Sequence, residues 1–151
     1  MLIESPTFKN GERIPSRNTC DGADVSPELQ WKDAPKITKS FALISDDPDA
    51  PMGVFTHWVI FNIPPSESGL KEGVETKPTL PNKSVQGKTD FGRIGYGGPC
   101  PPSGTHRYMF HLYALDTTLN LPAGSTKEQV VREMQSHVLG EAEIVGLYSR
   151  R

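Results

Sequence analysis

At 151 residues and a formal net charge of −2, the chain has the length of one domain, since domains most often run to about 100–150 residues. Its 35% hydrophobic and 23% charged residues exclude a membrane protein and a disordered chain. The absence of a basic excess removes any general attraction to nucleic acid or to acidic membranes. The first residues, Met1 to Pro6, show neither a basic stretch nor an apolar run of signal-peptide length. No segment approaches the ~20 apolar residues of a membrane span, so the cytoplasm is the expected compartment. Cys20 and Cys100 are too few for a disulfide framework or a zinc site. They could meet in space, but a reduced pair is the expectation for that compartment.

Fourteen glycines and fourteen prolines are spread along the chain, the punctuation of many turns between strands. There is no repeat, low-complexity tract or charge block, and a single domain over residues 1–151 is expected. Ser40 to Ser45 is apolar on both parities, as in a strand covered on both faces. It stops at the run Asp46 to Pro51, where two prolines forbid further ladder pairing. His57 to Ile63 reads as a second strand, with His57, Val59, Phe61 and Ile63 on one face. Residues 64–104 lack periodicity and read as long loops with at most one short strand, a length of irregular chain that is often functional. Thr105 to Leu115 is the longest strand, with His106, Tyr108, Phe110 and Leu112 on one face and Arg107, Met109 and His111 on the other. The helix is predicted from Ser125 to Leu139, with a Ser125/Glu128 capping box, a Val130, Met134, Val138 stripe and Gly140 just past its end. Ala142 to Tyr148 is the final strand. Many strands and one late helix make the protein mainly β, with two packed sheets.

Polar residues concentrate against these strands at three places. The prolines around Asp46, Asp47 and Asp49 fix the carboxylates in place. His57 opens an otherwise apolar strand. The stretch from Gly95 to Tyr108 is rich in glycine and proline, so backbone N–H groups can approach an anion, and it leads into His106 and Tyr108.

Asp47-Pro48-Asp49-Ala50-Pro51, His57, Gly98-Pro99-Cys100 and His106-Arg107-Tyr108 together resemble the phosphatidylethanolamine-binding protein family, also called Raf-kinase-inhibitor-like proteins. Asn18 to Gly22, Ser26-Pro27 and Trp31 look like its bacterial and archaeal branch. The resemblance runs from about Phe8 to Tyr148. It implies a large central antiparallel sheet packed on a smaller one, and a cavity for phosphate-like groups lined by Asp47, His57, His106 and Tyr108, with backbone near Gly98 helping to hold the anion. It places Cys20 and Cys100 near that cavity, close but reduced. Arg107, on the other face, is expected to pair with Asp49 in a structural role, so its loss should destabilise. His106 should matter to binding and little to stability. Two departures separate the chain from the mammalian members. The Pro51–His57 connection is shorter, leaving only Phe55 as an aromatic from that loop, and the chain ends after its last strand without their C-terminal helix.

The resemblance implies a binding protein for a phosphate or phosphoethanolamine-like head group, with a regulatory or inhibitory role and no cofactor. Asp, His, His and Tyr also suit acid–base catalysis or a two-His, one-carboxylate metal site. However, no serine or cysteine lies in a nucleophile motif and no HxxE or HxH spacing occurs, so neither catalysis nor a metal is expected. A protein partner, either a serine protease to be inhibited or a kinase to be modulated, is the alternative. An apolar patch on the sheet would support a homodimer.

Overall fold

The computed structural model describes residues 1–150. Among these there are nine strands: β1 (Leu2–Glu4), β2 (Glu12–Arg13), β3 (Leu29–Lys32), β4 (Ser40–Asp47), β5 (Phe55–Ile63), β6 (Gly69–Leu70), β7 (Val85–Gln86), β8 (His106–Leu115) and β9 (Val138–Tyr148). One α-helix, α1 (Lys127–Met134), lies between β8 and β9. The large sheet has the order β2-β9-β8-β4-β5-β7 and the small one β1-β3-β6. Pairing is antiparallel except between β2 and β9, which run parallel at one edge. No helix among the described residues is long and apolar enough to cross a membrane.

The large sheet is covered on both sides, which explains why β4 is apolar on both parities and buried throughout. Toward the small sheet, Phe41, Leu43, Trp58, Ile60, Tyr108, Phe110 and Leu112 pack with Ile3, Leu29 and Trp31. Toward the helix, Ala42, Ile44, Val59, Phe61 and Leu115 pack with Val130 and Met134. Each large side chain so buried contributes about 1.5–3 kcal/mol. Trp58, fully buried, donates from Nε1 to Gln86 Oε1 at 2.8 Å. The Gln86 amide in turn donates to the carbonyls of Glu75 and Lys77, which fastens the irregular segment before β7 to the sheet.

Simple alternation fails on β5. Ser45 pairs with Trp58 while Asp46 pairs with Thr56, so His57 is an extra residue on its strand, a β-bulge. Phe55 and His57 therefore lie on the face of Trp58 and Ile60, and Val59 and Phe61 turn to the helix side. A second register shift, with Phe41 opposite Ile63 and Leu43 opposite Ile60, brings Ile63 back. Asn62 sits there at φ 55°, and its amide exchanges two hydrogen bonds with the backbone of Leu119. Asparagine tolerates that left-handed backbone better than most residues.

The helix is shorter than its apolar stripe suggests. Thr126, not Ser125, is the N-cap, and the capping box pairs it with Gln129; the Ser125 hydroxyl instead donates to the Pro122 carbonyl. Val130 and Met134 face the core as expected. The helix stops before Ser136, which has φ 71°. Val138 and Gly140 belong to β9, opposite Leu115 and Ala114. The irregular stretch 64–104 holds two short strands, β6 and β7, rather than one.

Cys20 and Cys100 are joined in a disulfide across 80 positions of sequence, which corrects the reduced pair expected from compartment alone. Composition carries no information on distance. The fold brings the 19–22 turn against the 97–100 loop, with the Cys20 N–H donating to the Pro99 carbonyl. The Cα atoms are 5.4 Å apart, within the range a disulfide spans. Protein purified without reductant should have an intact mass about two hydrogens below the reduced chain. The loop entropy removed by a closure of this length is worth about 4.5 kcal/mol, so the Cys20→Ser, Cys100→Ser double variant should melt several degrees lower. A full thiol titre on the non-reduced protein would contradict the bond.

On the helix side, buried Asp46 accepts from Lys127 Nζ at 2.8 Å and pairs with His111 Nε2 at 3.2 Å. The other His111 nitrogen faces Glu143 at 3.1 Å. Burial pushes the Asp46 carboxyl up, but His111 and Lys127 outweigh it and the net shift is downward. The hydrogen bond to Asp46, against burial, raises His111. The Asp46 contribution is thus complete above about pH 4 and lost as pH falls through its lowered value. The His111 contribution is complete below about pH 6.5 and lost as pH rises through its raised value. Stability from this cluster should peak between those limits. His111→Gln should lower the melting temperature most in that window and flatten the decline toward alkaline pH, as read from thermal melts across pH.

Candidate functional site

At one end of the large sheet, β4, β5 and β8 deliver four polar side chains to a single cavity of about 250 Å³. Asp47 comes from the last residue of β4, His57 from the bulge of β5, and His106 and Tyr108 from the start of β8. All four are buried. The period-2 reading of β8 is met, because His106 and Tyr108 face inward while Arg107 is exposed on the opposite face. The cavity is too small for a drug-sized ligand and suits a head group.

The polar contacts form two separate sets. His106 Nδ1 donates to Asp47 Oδ2 at 2.6 Å. Asp47 Oδ1 accepts from the backbone N–H of Asp49 at 2.7 Å, an Asx turn that fixes the carboxylate. His57 Nδ1 donates to the Gly97 carbonyl at 2.6 Å, and the Gly97 N–H donates back to the His57 carbonyl at 3.0 Å. Burial holds the His57 imidazole below its ordinary value, against the opposing pull of the Gly97 carbonyl and of Asp47. Burial, then the nearby carboxylates of Asp47 and Asp49, pushes the Tyr108 phenol upward, so it stays neutral and able to donate.

The walls are apolar. Phe55, His57 and Phe91 meet edge-on or tilted with centroids 4.8–5.3 Å apart, and His57 stands edge-on to Tyr108 at 5.2 Å. Ala50, Pro51, Cys100, Pro101 and Pro102 complete the lining. Phe91 has no signal in the sequence, being a lone aromatic in a polar turn without periodicity. It is placed by reciprocal bonds between Asp90 and the Thr56 backbone.

Gly98 stands apart from this group. It is not among the lining residues, and its N–H donates to Asp24 Oδ1 at 2.8 Å, so that N–H is not free to hold an anion as expected. Glycine is needed there for another reason, since a Cβ would collide with the Asn18 carbonyl and the Asp24 carboxylate. With the disulfide and the Tyr96 hydroxyl donating to the Asn18 carbonyl, Gly98 anchors one wall of the cavity.

Arg107 does pair with Asp49, through Nε, Nη2 and its own backbone N–H, each at 2.9 Å. These bonds hold the Asp49 carboxyl down to about 2. Both side chains are open to solvent, so little stability depends on the pair.

The family model for phosphatidylethanolamine-binding proteins matches residues 4–149. The UPF0098 protein of Methanothermobacter thermautotrophicus is 57% identical over 150 residues, with 99% of each chain covered. That of Aquifex aeolicus is 51% identical over 155 residues, covering 99% of this chain and 89% of the relative. Among solved structures, a phosphatidylethanolamine-binding protein homologue from Chlamydia trachomatis superposes with a TM-score of 0.92 at 39% identity, covering 99% of this chain and 97% of the other. YbcL of Escherichia coli, described as a new member of the mammalian family, gives 0.92 at 34% identity, with 99% and 98% covered. Sequence and architecture agree from the first strand to the last, and the chain belongs to the phosphatidylethanolamine-binding protein family.

Proposed function

We propose that this protein binds a small anionic head group, phosphate or phosphoethanolamine-like, in the cavity of Asp47, His57, His106 and Tyr108, holds it without turnover, and serves a regulatory or inhibitory role. The observation that carries this reading is the convergence of two imidazoles and a phenol on one small buried cavity with apolar walls. Fixed polar groups on an apolar wall orient a ligand and tell it from its neighbours. Cys100 is committed to its disulfide, and neither serine nor lysine is among the lining residues.

Inorganic phosphate and phosphoethanolamine should bind in the millimolar to micromolar range, which a few charge-assisted bonds support. Titration calorimetry, with imidazole chemical shifts of His57 and His106, reads this directly. No heat and no shift at millimolar ligand would refute the reading.

Two substitutions on β8 separate binding from folding, with a stability order opposite to the one expected from sequence. His106→Ala should abolish binding and also destabilise, because it strips the buried Asp47 carboxylate of a charge-assisted partner, a loss of about 1–3 kcal/mol. Arg107→Ala should bind and melt much like the parent, since its partner Asp49 is exposed. An Arg107→Ala protein that melts normally but fails to bind would make Arg107 a ligand residue.

A second reading, inhibition of a serine protease, is favoured by the turn bordering the cavity, where Met52 is 99% and Val54 55% exposed. If that turn is the contact, some member of a serine protease panel should be inhibited by the parent and spared by a Met52→Asp, Val54→Asp variant that still binds phosphate. A panel untouched by the parent would remove this reading.

A further inference from the structure

The two imidazoles are fixed through the same ring atom. The Gly97 carbonyl and the Asp47 carboxylate only accept hydrogen bonds, so Nδ1 of His57 and Nδ1 of His106 both carry hydrogen. A neutral imidazole has one N–H. In the neutral form of each ring Nε2 is then a lone pair, and among the described residues neither Nε2 is bonded to a protein group, although both rings line the cavity.

The charged groups around the rings are mostly engaged with one another. Asp47 on β4 touches His106, and Asp46 lies one residue behind it, committed to His111 and Lys127. Asp24 faces His57 from beneath the 97–98 loop. Beside His106, Tyr148 on β9 donates to Asp21, which also holds Arg150. Arg107 is engaged by Asp49. Arg93 stacks on the Phe91 ring at 4.9 Å and leans toward Asp24 at 3.7 Å. No lysine or arginine is among the lining residues. With neutral rings the cavity thus offers two nitrogen lone pairs beside the Asp47 carboxylate.

We propose that the cavity takes oxyanion head groups in their acid form: the ligand retains at least one O–H, which donates to an Nε2 lone pair of His57 or His106. The proposal rests on the anion-binding reading and adds the protonation state that the ligand must have. An oxyanion without hydrogen sets its own lone pairs against those of the nitrogens. It enters only after an imidazole takes a proton from solvent, which burial opposes at His57. Buried acceptors reject an isostere that lacks the matching donor. Phosphate and sulfate have the same shape, but only phosphate carries hydrogen near neutral pH.

The test is titration calorimetry of the intact protein with inorganic phosphate and with sulfate, at about pH 7.5 and about pH 5.5, on either side of the free histidine value. Each titration is run in two buffers of different ionisation heat. At the higher pH phosphate should bind at least about tenfold tighter than sulfate, a difference of ~1.4 kcal/mol. Any heat of sulfate binding should vary with buffer, reporting the proton that an imidazole takes from solvent. At the lower pH, where protonated imidazoles donate from both nitrogens, the gap should narrow. Equal affinities at the higher pH with buffer-independent heats would overturn the proposal and leave anion binding standing. Failure of both ions to bind at millimolar concentration at either pH would overturn anion binding itself and the proposal with it.

Discussion

Strand β4 runs through the middle of the large sheet with both faces covered, and it ends in two adjacent carboxylates, both buried. Successive side chains of a strand point to opposite faces, so Asp46 and Asp47 are driven to opposite sides of the sheet. A buried carboxylate needs partners on whichever side it emerges. Asp46 finds Lys127 and His111 and thereby fastens the helix to the sheet. Asp47 finds His106 and the Asp49 backbone and thereby builds the cavity floor. One geometric rule, applied to two neighbouring residues, makes a structural cluster on one face and a cavity floor on the other.

The same constraint explains why β5 departs from regular pleating. With strict alternation from the core-facing Trp58, His57 would point to the helix side, away from Tyr108 and His106. The extra residue at the bulge keeps the pairing of Ser45 with Trp58 and still turns His57 to the cavity side. Bulges recur beside functional sites because they re-aim one side chain without unravelling the ladder. Here the re-aimed side chain is a histidine whose inner nitrogen is then secured by the 97–98 loop.

What was legible in the sequence follows from this. β4 and β8 could be read because their patterns are uninterrupted: one is apolar throughout, the other alternates from His106 to Leu112. Asp47, His57, His106 and Tyr108 were found because the motif carries them, and β8 supplied an independent check through the facing of Arg107. The faces of β5 were misread because a bulge adds a residue without changing composition. The helix cap was misplaced by one position because Ser125-Thr126 and Glu128-Gln129 offer two equally plausible capping boxes, and only packing of Val130 and Met134 chooses between them. The end of the helix was overrun because Val138 continues the i, i+4 stripe yet is needed at the start of β9. Phe91, the Cys20–Cys100 bond and the use of the Gly98 N–H by Asp24 depend on contacts between segments distant in sequence, and no local pattern reports them.

The two sides of the cavity differ in how firmly they are held, and this bears on what a rigid, small site can discriminate. The wall from Gly97 to Cys100 is tied to residues 18–24 by a disulfide and by bonds from Tyr96, Gly98 and Cys20, and to β5 by the reciprocal pair with His57. The floor is set by β4 and β8 at their paired ends. Groups held this way do not reorient for a ligand, so a mismatch in hydrogen-bond sense costs the full loss of the bond rather than a rotamer change. The opposite rim, residues 50–54, has a single internal bond from the Gly53 N–H to the Ala50 carbonyl and ends in exposed Met52 and Val54. Firmly held polar groups and a lightly tied apolar rim thereby come from different parts of the chain. On the proposed reading, the fixed histidine side would sense the charge and protons of a ligand, and the apolar rim would meet what extends from the mouth.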